Sequence, residues 1–185
     1  MKKRIIVFNG MHSAGKTELA TILAKNNKAH YHYEIGRKLH SEVDYHSLTS
    51  FDDYDTEIMR RELERDRELL LKPELPIVET WHVGDMAYAM QRSPSVIPLW
   101  NEKLQEALRV FDPLCILVKI SDETFRKRGV RGEIMDDFEE MLLFYKKLSR
   151  DTVQIYKAFN IPYVEISNDG ELAETLSEIT KRIQG

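Results

Sequence analysis

The feature that most constrains this chain is the segment at residues 10–17, GMHSAGKT, which fits the pattern G-x-x-x-x-G-K-S/T. An apolar run at residues 5–8 precedes it and predicts a short buried strand, and residues 17–26 carry apolar side chains at helical spacing. Glycine lets the backbone curl so that its N–H groups face phosphates, and a helix N-terminus adds the positive end of its dipole. The segment is therefore predicted to be a phosphate-binding loop.

Each fixed position of this motif has a chemical role. Lys16 is predicted to reach the terminal phosphates of a nucleotide, and the Thr17 hydroxyl is predicted to hold Mg²⁺. The alternative interpretation is an ordinary glycine turn with a solvated lysine, which would make the strand before it and the helix after it accidental. We therefore expect ATP and Mg²⁺ as cofactors. The predicted nucleotide-binding residues are Gly10, Ser13, Ala14, Gly15, Lys16 and Thr17.

Composition limits the classes of partner. The 185 residues predict a single domain, residues 1–185, and 42% of them are hydrophobic, which is enough for a sizeable core. The net charge is −4 with acids and bases interleaved, which argues against nucleic acid and membrane surfaces and favours a small-molecule partner.

No apolar run is long enough for a signal peptide or a bilayer span. The single cysteine, Cys115, lies in an apolar run, so we expect a buried thiol in a cytoplasmic protein. Whether the chain forms a homodimer stays open.

Strand and helix patterns alternate along the chain. Predicted strands lie at residues 5–8, 29–33, 77–80, 114–120 and 162–166, and residues 112–113 are predicted to form a turn. Predicted helices lie at residues 17–26, 36–43, 51–71, 81–92, 99–111, 133–159 and 171–183, and the charged residues of the helix at 51–71 are expected to be a solvated face. This alternation predicts an α/β, three-layer P-loop NTPase fold with a five-stranded parallel sheet between helices.

Two of the predicted strands end in acids, Glu34 and Glu79. Ligands of open parallel sheets collect at the carboxyl ends of the strands, where the phosphate-binding loop also begins. Because Mg²⁺ usually needs an acid beyond the loop hydroxyl, we predict Glu79 as a metal and substrate residue and Glu34 as a catalytic residue on the acceptor side. Arg37 follows Glu34 by one helical turn and is predicted to bind substrate. The alternative is that both glutamates are exposed strand ends without a role.

A basic stretch at residues 126–132 contains Arg126, Arg128 and Arg131 with two glycines. We predict an arginine-rich, mobile lid whose three arginines neutralise charge on the transferred phosphoryl group. The alternative is a solvated basic turn. The six histidines show no zinc-site spacing, so a zinc site is not expected.

Taken together, these motifs resemble the thymidylate kinase and deoxynucleoside kinase group. The resemblance rests on the loop, the two acid-tipped strands, residues 85–91 (DMAYAMQ), the arginine-rich stretch and residues 137–145. It implies that Glu34 is the base for the substrate hydroxyl, as in the deoxynucleoside kinases. An arginine follows the acid of the third strand in both families, whereas Thr80 follows Glu79 here. Of the thymidylate kinase Arg-Glu-Pro element only the acid is kept, because Tyr33 and Ile35 replace the arginine and the proline. The identity of the acceptor therefore stays open.

Two functions of different classes are compatible with these residues. The first is a kinase that transfers the γ-phosphoryl group of ATP to a nucleoside, a nucleotide or a similar small metabolite. The second is a P-loop ATPase that acts as a nucleotide-dependent switch or regulatory module. The predicted lid favours the kinase, and release of ADP only in the presence of an acceptor would distinguish the two.

Overall fold

The computed structural model describes residues 1–42, 50–129 and 138–184. Its five strands are β1 (Lys3–Gly10), β2 (His30–His32), β3 (Pro76–Glu79), β4 (Phe111–Lys119) and β5 (Tyr163–Ser167). Its helices are α1 (Lys16–Asn27), α2 (Ile35–Glu42), α3 (Phe51–Leu71), α4 (Trp81–Arg92), α5 (Ile97–Val110), α6 (Asp122–Arg128), α7 (Phe138–Ala158) and α8 (Leu172–Gln184), with a 3₁₀ turn at Pro94–Val96. These elements confirm the predicted α/β architecture.

All strand pairings are parallel, and the strands lie in the order β2-β3-β1-β4-β5. The central strand β1 is apolar on both faces because helices cover both sides of the sheet, and residues 5–8 are at most 1% exposed. Its neighbours are in register with Phe8 opposite Glu79 and Gly10 opposite Val118. The phosphate-binding loop therefore leaves the sheet beside the ends of β3 and β4.

The predicted turn at Asp112 and Pro113 is wrong, because both residues lie within β4. At this point β4 pairs only with β1, since β5 first pairs with β4 at Cys115. The Cys115 N–H points to the β5 side and donates to the Pro162 carbonyl at 3.0 Å. Pro113 is two residues earlier, so its missing N–H falls on that same side, where no strand is yet present. Proline is tolerated there because no ladder hydrogen bond is lost.

The predicted lid loop differs from the structure in its first half. Arg126 and Arg128 lie on the last turn of α6, which begins after Ser121, whose Oγ accepts from the Thr124 N–H at 3.2 Å. Acids in the first turn and bases in the last turn complement the helix dipole, and this favours a helix over a loop. Arg131 and the rest of the predicted lid, residues 130–132, lie outside the described residues.

Helix α3 has the predicted bounds, and its N-terminal Ser50 accepts a hydrogen bond from the Asp53 N–H at 3.2 Å. The expectation that its charged residues form a solvated face is wrong in part. Four charged side chains turn inward against α4 and are at most 7% exposed: Asp55, Glu62, Arg65 and Asp66. Each of them meets a polar partner in the interior, as buried charge requires.

The cysteine lies in the core as expected. Cys115 is buried in the middle of β4, and burial raises the pKa of its thiol to about 12. Across the described ranges, none of the helices combines the length and the apolar character that a bilayer span needs.

Candidate active site

The phosphate-binding loop follows β1 through a sharp turn at Gly10. Gly10 has φ 140°, and a side chain here would collide with the backbone carbonyl of Val118 on the adjacent strand, so only glycine fits. Lys16 folds back over the loop, and its Nζ donates to the carbonyls of Gly10 and Met11 at 3.0 Å each. The ammonium group is thereby held over the loop.

A residue that the sequence analysis did not select anchors this loop. Asn168 is 4% exposed and follows β5 directly, and its Nδ2 donates to the Ala14 carbonyl at 2.8 Å. Arg128 donates to the carbonyls of Asn168 at 2.7 Å and Ser13 at 3.3 Å. Thr175 donates to the Asn168 side chain at 3.1 Å. Asn168 is a polar residue directly after a strand, the signal that selected Glu34 and Glu79, and it could have been found in that way.

Glu79 lies at the end of β3, beside the loop. Its side chain is fully buried, and neither carboxylate oxygen has a hydrogen-bond partner of good geometry in the described part of the chain. Burial raises its pKa, while Lys16 and the Thr17 hydroxyl act in the opposite direction. A buried carboxylate flanked by the hydroxyls of Thr17 and Tyr31 is a set of oxygen ligands that suits a divalent cation. The residues present thus fit the predicted Mg²⁺.

Glu34 lies between β2 and α2 and is partly exposed, and Arg37 is exposed one turn further along α2. The negative charge of Glu34 contributes to the raised pKa of Glu79, so the two carboxylates lie within electrostatic reach of each other. His12, in the loop, is near the same group: its pKa is lowered by burial and by Lys16, and Glu34 opposes this. The strand-tip acids therefore converge on the loop.

One cavity of about 480 Å³ contains most of the predicted site residues. Those that line it are Ser13, Gly15, Lys16, Thr17, Glu34, Arg37, Glu79 and Arg128, joined by Asn168. Gly10 and Ala14 support the loop without lining this cavity. Arg126 points elsewhere, because its guanidinium pairs with Glu139 at 2.5 Å and lies 5.7 Å from the centre of the Phe138 ring. Arg131 is outside the described residues.

A second group that the sequence analysis missed lies between α3 and α4. Glu62 is buried and pairs with Arg65 at 2.5 Å, and Arg65 also donates to the Tyr33 carbonyl at 2.9 Å. Asp85, from α4, is 2% exposed, and burial together with the neighbouring charge of Glu62 raises its pKa well above its usual range. Glu34 adds to that shift. Acidic side chains therefore extend from the strand tips into the interface of α3 and α4, where burial disfavours the charged form of Asp85.

The chain was compared with known proteins. No protein-family model matches the sequence, and no curated protein matches it. Solved structures do match. Thymidylate kinase from Ehrlichia chaffeensis shares 16% identity at a TM-score of 0.64, over 99% of this chain and 100% of its own. Deoxyadenosine kinase from M. mycoides with bound dATP shares 12% identity at a TM-score of 0.70, and the match covers 98% of this chain and 100% of its own. Thymidylate kinase from Candida albicans shares 15% identity at a TM-score of 0.69, and the match covers 99% of this chain and 92% of its own.

These likenesses extend over nearly the whole of each chain. The protein therefore has the fold of the P-loop nucleoside and nucleotide kinases. Because identities of 12–16% show the fold alone, the reaction has to be argued from the site.

Proposed function

We propose that the protein is a Mg²⁺-dependent phosphotransferase that moves the γ-phosphoryl group of ATP to a nucleoside, a nucleotide or a similar small metabolite. The observation that carries the proposal is the single cavity in which Lys16 and Thr17 lie with Glu34 and Glu79. A phosphate-binding loop facing two acids across one cavity offers a place for a nucleotide and for a second substrate. The similar structures, two thymidylate kinases and a deoxyadenosine kinase, support the same class of reaction.

In this proposal, the loop N–H groups and Lys16 bind the phosphates of ATP, and Thr17 and Glu79 hold Mg²⁺. When bound, the metal neutralises phosphate charge during transfer. Glu34 orients the acceptor, or deprotonates it if the acceptor is a hydroxyl, and Arg37 binds its polar groups. Arg128, which lines the cavity beside the loop, contributes positive charge near the bound nucleotide. The enclosed reactants are then held in position and shielded from water.

The test is ADP release from ATP and Mg²⁺ over a panel of nucleosides, nucleoside monophosphates and other small alcohols. The proposal expects rapid release with one acceptor or a narrow group of acceptors, and a phosphorylated acceptor as the product. ADP release at the same rate with every compound and with none would contradict transfer and would favour a nucleotide-dependent switch.

A further inference from the structure

The turn that joins β3 to α4 has a strained backbone, and it follows Glu79 directly. Thr80 has φ 69° and ψ −66°, and Trp81 has φ 52°. Positive φ is uncommon for residues with a side chain, and the values at Thr80 correspond to a rare and strained type of γ-turn. Two such residues in succession persist only where the surrounding contacts enforce the conformation. The direction of the chain at Glu79 therefore depends on what holds the next residues.

Asp66, on α3, holds both of the residues that begin α4. Its Oδ1 accepts from the Trp81 indole Nε1 at 2.9 Å, and its Oδ2 lies 2.7 Å from Nε2 of His82. Trp81 and His82 are fully buried, and Asp66 is 7% exposed. Buried hydrogen bonds to a charged carboxylate are among the stronger ones in proteins, so this carboxylate is a firm anchor.

The other side of the turn is fixed by the backbone. The Thr80 N–H donates to the Phe8 carbonyl of β1 at 2.8 Å. On the next turn, Gly84 leaves no space for a side chain, since a Cβ there would lie 2.5 Å from Asn9 Oδ1 and from Thr80 Cγ2. The sheet thus holds the start of the turn, and Asp66 holds its end. Neither contact involves the Glu79 side chain itself, although both fix the backbone that directly follows it.

We infer that Asp66 is a positioning residue for Glu79: by anchoring Trp81 and His82 it maintains the strained turn that presents the Glu79 carboxylate to Mg²⁺ beside Thr17. The inference rests on the proposed function, because it assigns Asp66 a purpose through the metal role of Glu79. Replacement of a residue that orients a metal ligand typically lowers metal affinity about 10–100-fold. In the sequence, Asp66 is one of many acids on a charged helix. Its positioning role becomes visible only when the fold places it against the start of α4.

The test measures binding of Mn²⁺, as a substitute for Mg²⁺, to the full chain with a saturating non-hydrolysable ATP analogue, by electron paramagnetic resonance. Asp66→Asn removes the negative charge, and Trp81→Phe removes the indole donor while it keeps an aromatic ring. Each should weaken nucleotide-dependent Mn²⁺ binding about tenfold. Binding of the analogue without metal should stay within about twofold of wild type, because the loop is untouched.

The matched control is Asp55→Asn. Asp55 is a fully buried acid on the same helix and is paired with Arg92 at 2.5 Å, but its contacts are remote from the turn. Its replacement should lower the melting temperature and leave Mn²⁺ binding within about twofold. Equal losses of Mn²⁺ affinity in Asp55→Asn and Asp66→Asn would overturn the inference, because general destabilisation would then explain both.

A double-mutant cycle with Glu79→Gln identifies the route of the effect. If Asp66 acts through Glu79, Asp66→Asn should cause no further loss of Mn²⁺ affinity in the Glu79→Gln background. Additive losses would overturn the inference. They would instead indicate a separate cation site at Asp66, whose carboxylate lies close to His82 and Glu62. If wild type shows no nucleotide-dependent Mn²⁺ binding, or Glu79→Gln does not reduce it, the metal role in the proposed function fails as well, which is a different result from additivity.

Discussion

The two sides of the cavity differ in how their polar groups are satisfied. On the nucleotide side, the carbonyls of Ser13 and Ala14 accept hydrogen bonds from Arg128 and Asn168, and Lys16 is bonded to two loop carbonyls. On the acid side, in the chain as described, neither oxygen of Glu79 has a hydrogen-bond partner of good geometry, although the hydroxyls of Thr17 and Tyr31 are close enough to lower its pKa. Buried polar groups usually find hydrogen-bond partners. The polar groups of the loop have found theirs, whereas those of Glu79 have not.

This contrast suggests where ligand binding changes the protein most. A loop that is already hydrogen-bonded needs little reorganisation when phosphate arrives, because its donors and its anchors are in place. Buried carboxylate oxygens without partners are costly, and a cation or an acceptor with donor groups would satisfy them. In the proposed function, the nucleotide side is thus preformed, and the acid side would be completed by its ligands. The predictions below test this difference, from the largest expected effect to the smallest.

Lys16→Ala should reduce phosphoryl transfer to the background rate, because Lys16 is the loop's own cation for the terminal phosphates. The far-ultraviolet circular dichroism spectrum should match that of wild type, since the lysine serves the loop surface and not the core. Turnover and circular dichroism measured on the same preparation check this. Normal turnover would show that the preformed side has no role in the reaction.

Glu34→Gln tests the acid side. If the acceptor is a hydroxyl, kcat should fall by about 10²–10⁴, which is the usual share of a positioned general base, and ATP binding should change little. Steady-state kinetics and calorimetric titration with ATP measure the two effects separately.

A phosphate acceptor would give a different result at the same residue. A phosphate is already ionised and needs no base, so Glu34→Gln would then raise the acceptor KM with a small change in kcat. If both constants equal those of wild type, Glu34 has no role in the reaction, and the acid side of the cavity then contains no catalytic residue among those proposed.

Asn168→Ala should weaken nucleotide binding about 10–100-fold, because it leaves a buried loop carbonyl without its donor. The effect should appear without any acceptor, in a direct titration with an ATP analogue. Asn27→Ala is a suitable control, since the Asn27 side chain donates to the Leu23 carbonyl of its own helix and, among the described residues, has no hydrogen bond to the loop. Similar affinity losses in the two variants would show that Asn168 has no special relation to the loop.

The smallest effects are expected on α6. Arg128→Ala should lower nucleotide affinity by about tenfold or less, since it loses hydrogen bonds to two neutral carbonyls of the anchored loop. Arg126→Ala should leave affinity and kcat within about twofold, because exposed ion pairs contribute little. Kinetics of the two single variants decide this. A larger loss of affinity or kcat in Arg126→Ala would support the prediction from sequence that Arg126 acts on the transferred phosphoryl group.

Sequence patterns that are local were sufficient for much of this structure. The loop is encoded in eight consecutive residues, and strands that alternate with helices determine the sheet. Once the strands are known, Glu34 and Glu79 follow from one rule about strand ends. The same rule applies to Asn168, which follows β5 directly, but when restricted to acids it does not select this amide.

What could not be predicted depends on contacts between distant elements. Charged residues recur along α3, and only the position of α4 decides that Asp66 and Glu62 turn inward. Likewise, an arginine at position 126 or 128 is equally basic in the sequence, whereas Glu139 on α7 attracts only the first of them. Neither distinction has a local signal in the chain.

Cys115 gives the chain a practical property for spectroscopic work. Its thiol is fully buried and its pKa is raised to about 12, so at neutral pH very little thiolate is present to react with a maleimide. Because the chain has no second cysteine, one introduced at an exposed position would be the sole reactive label. Arg126→Cys paired with a second introduced cysteine on α8 would then report, as a distance measured between two labels, whether α6 moves relative to α8 when ATP is added.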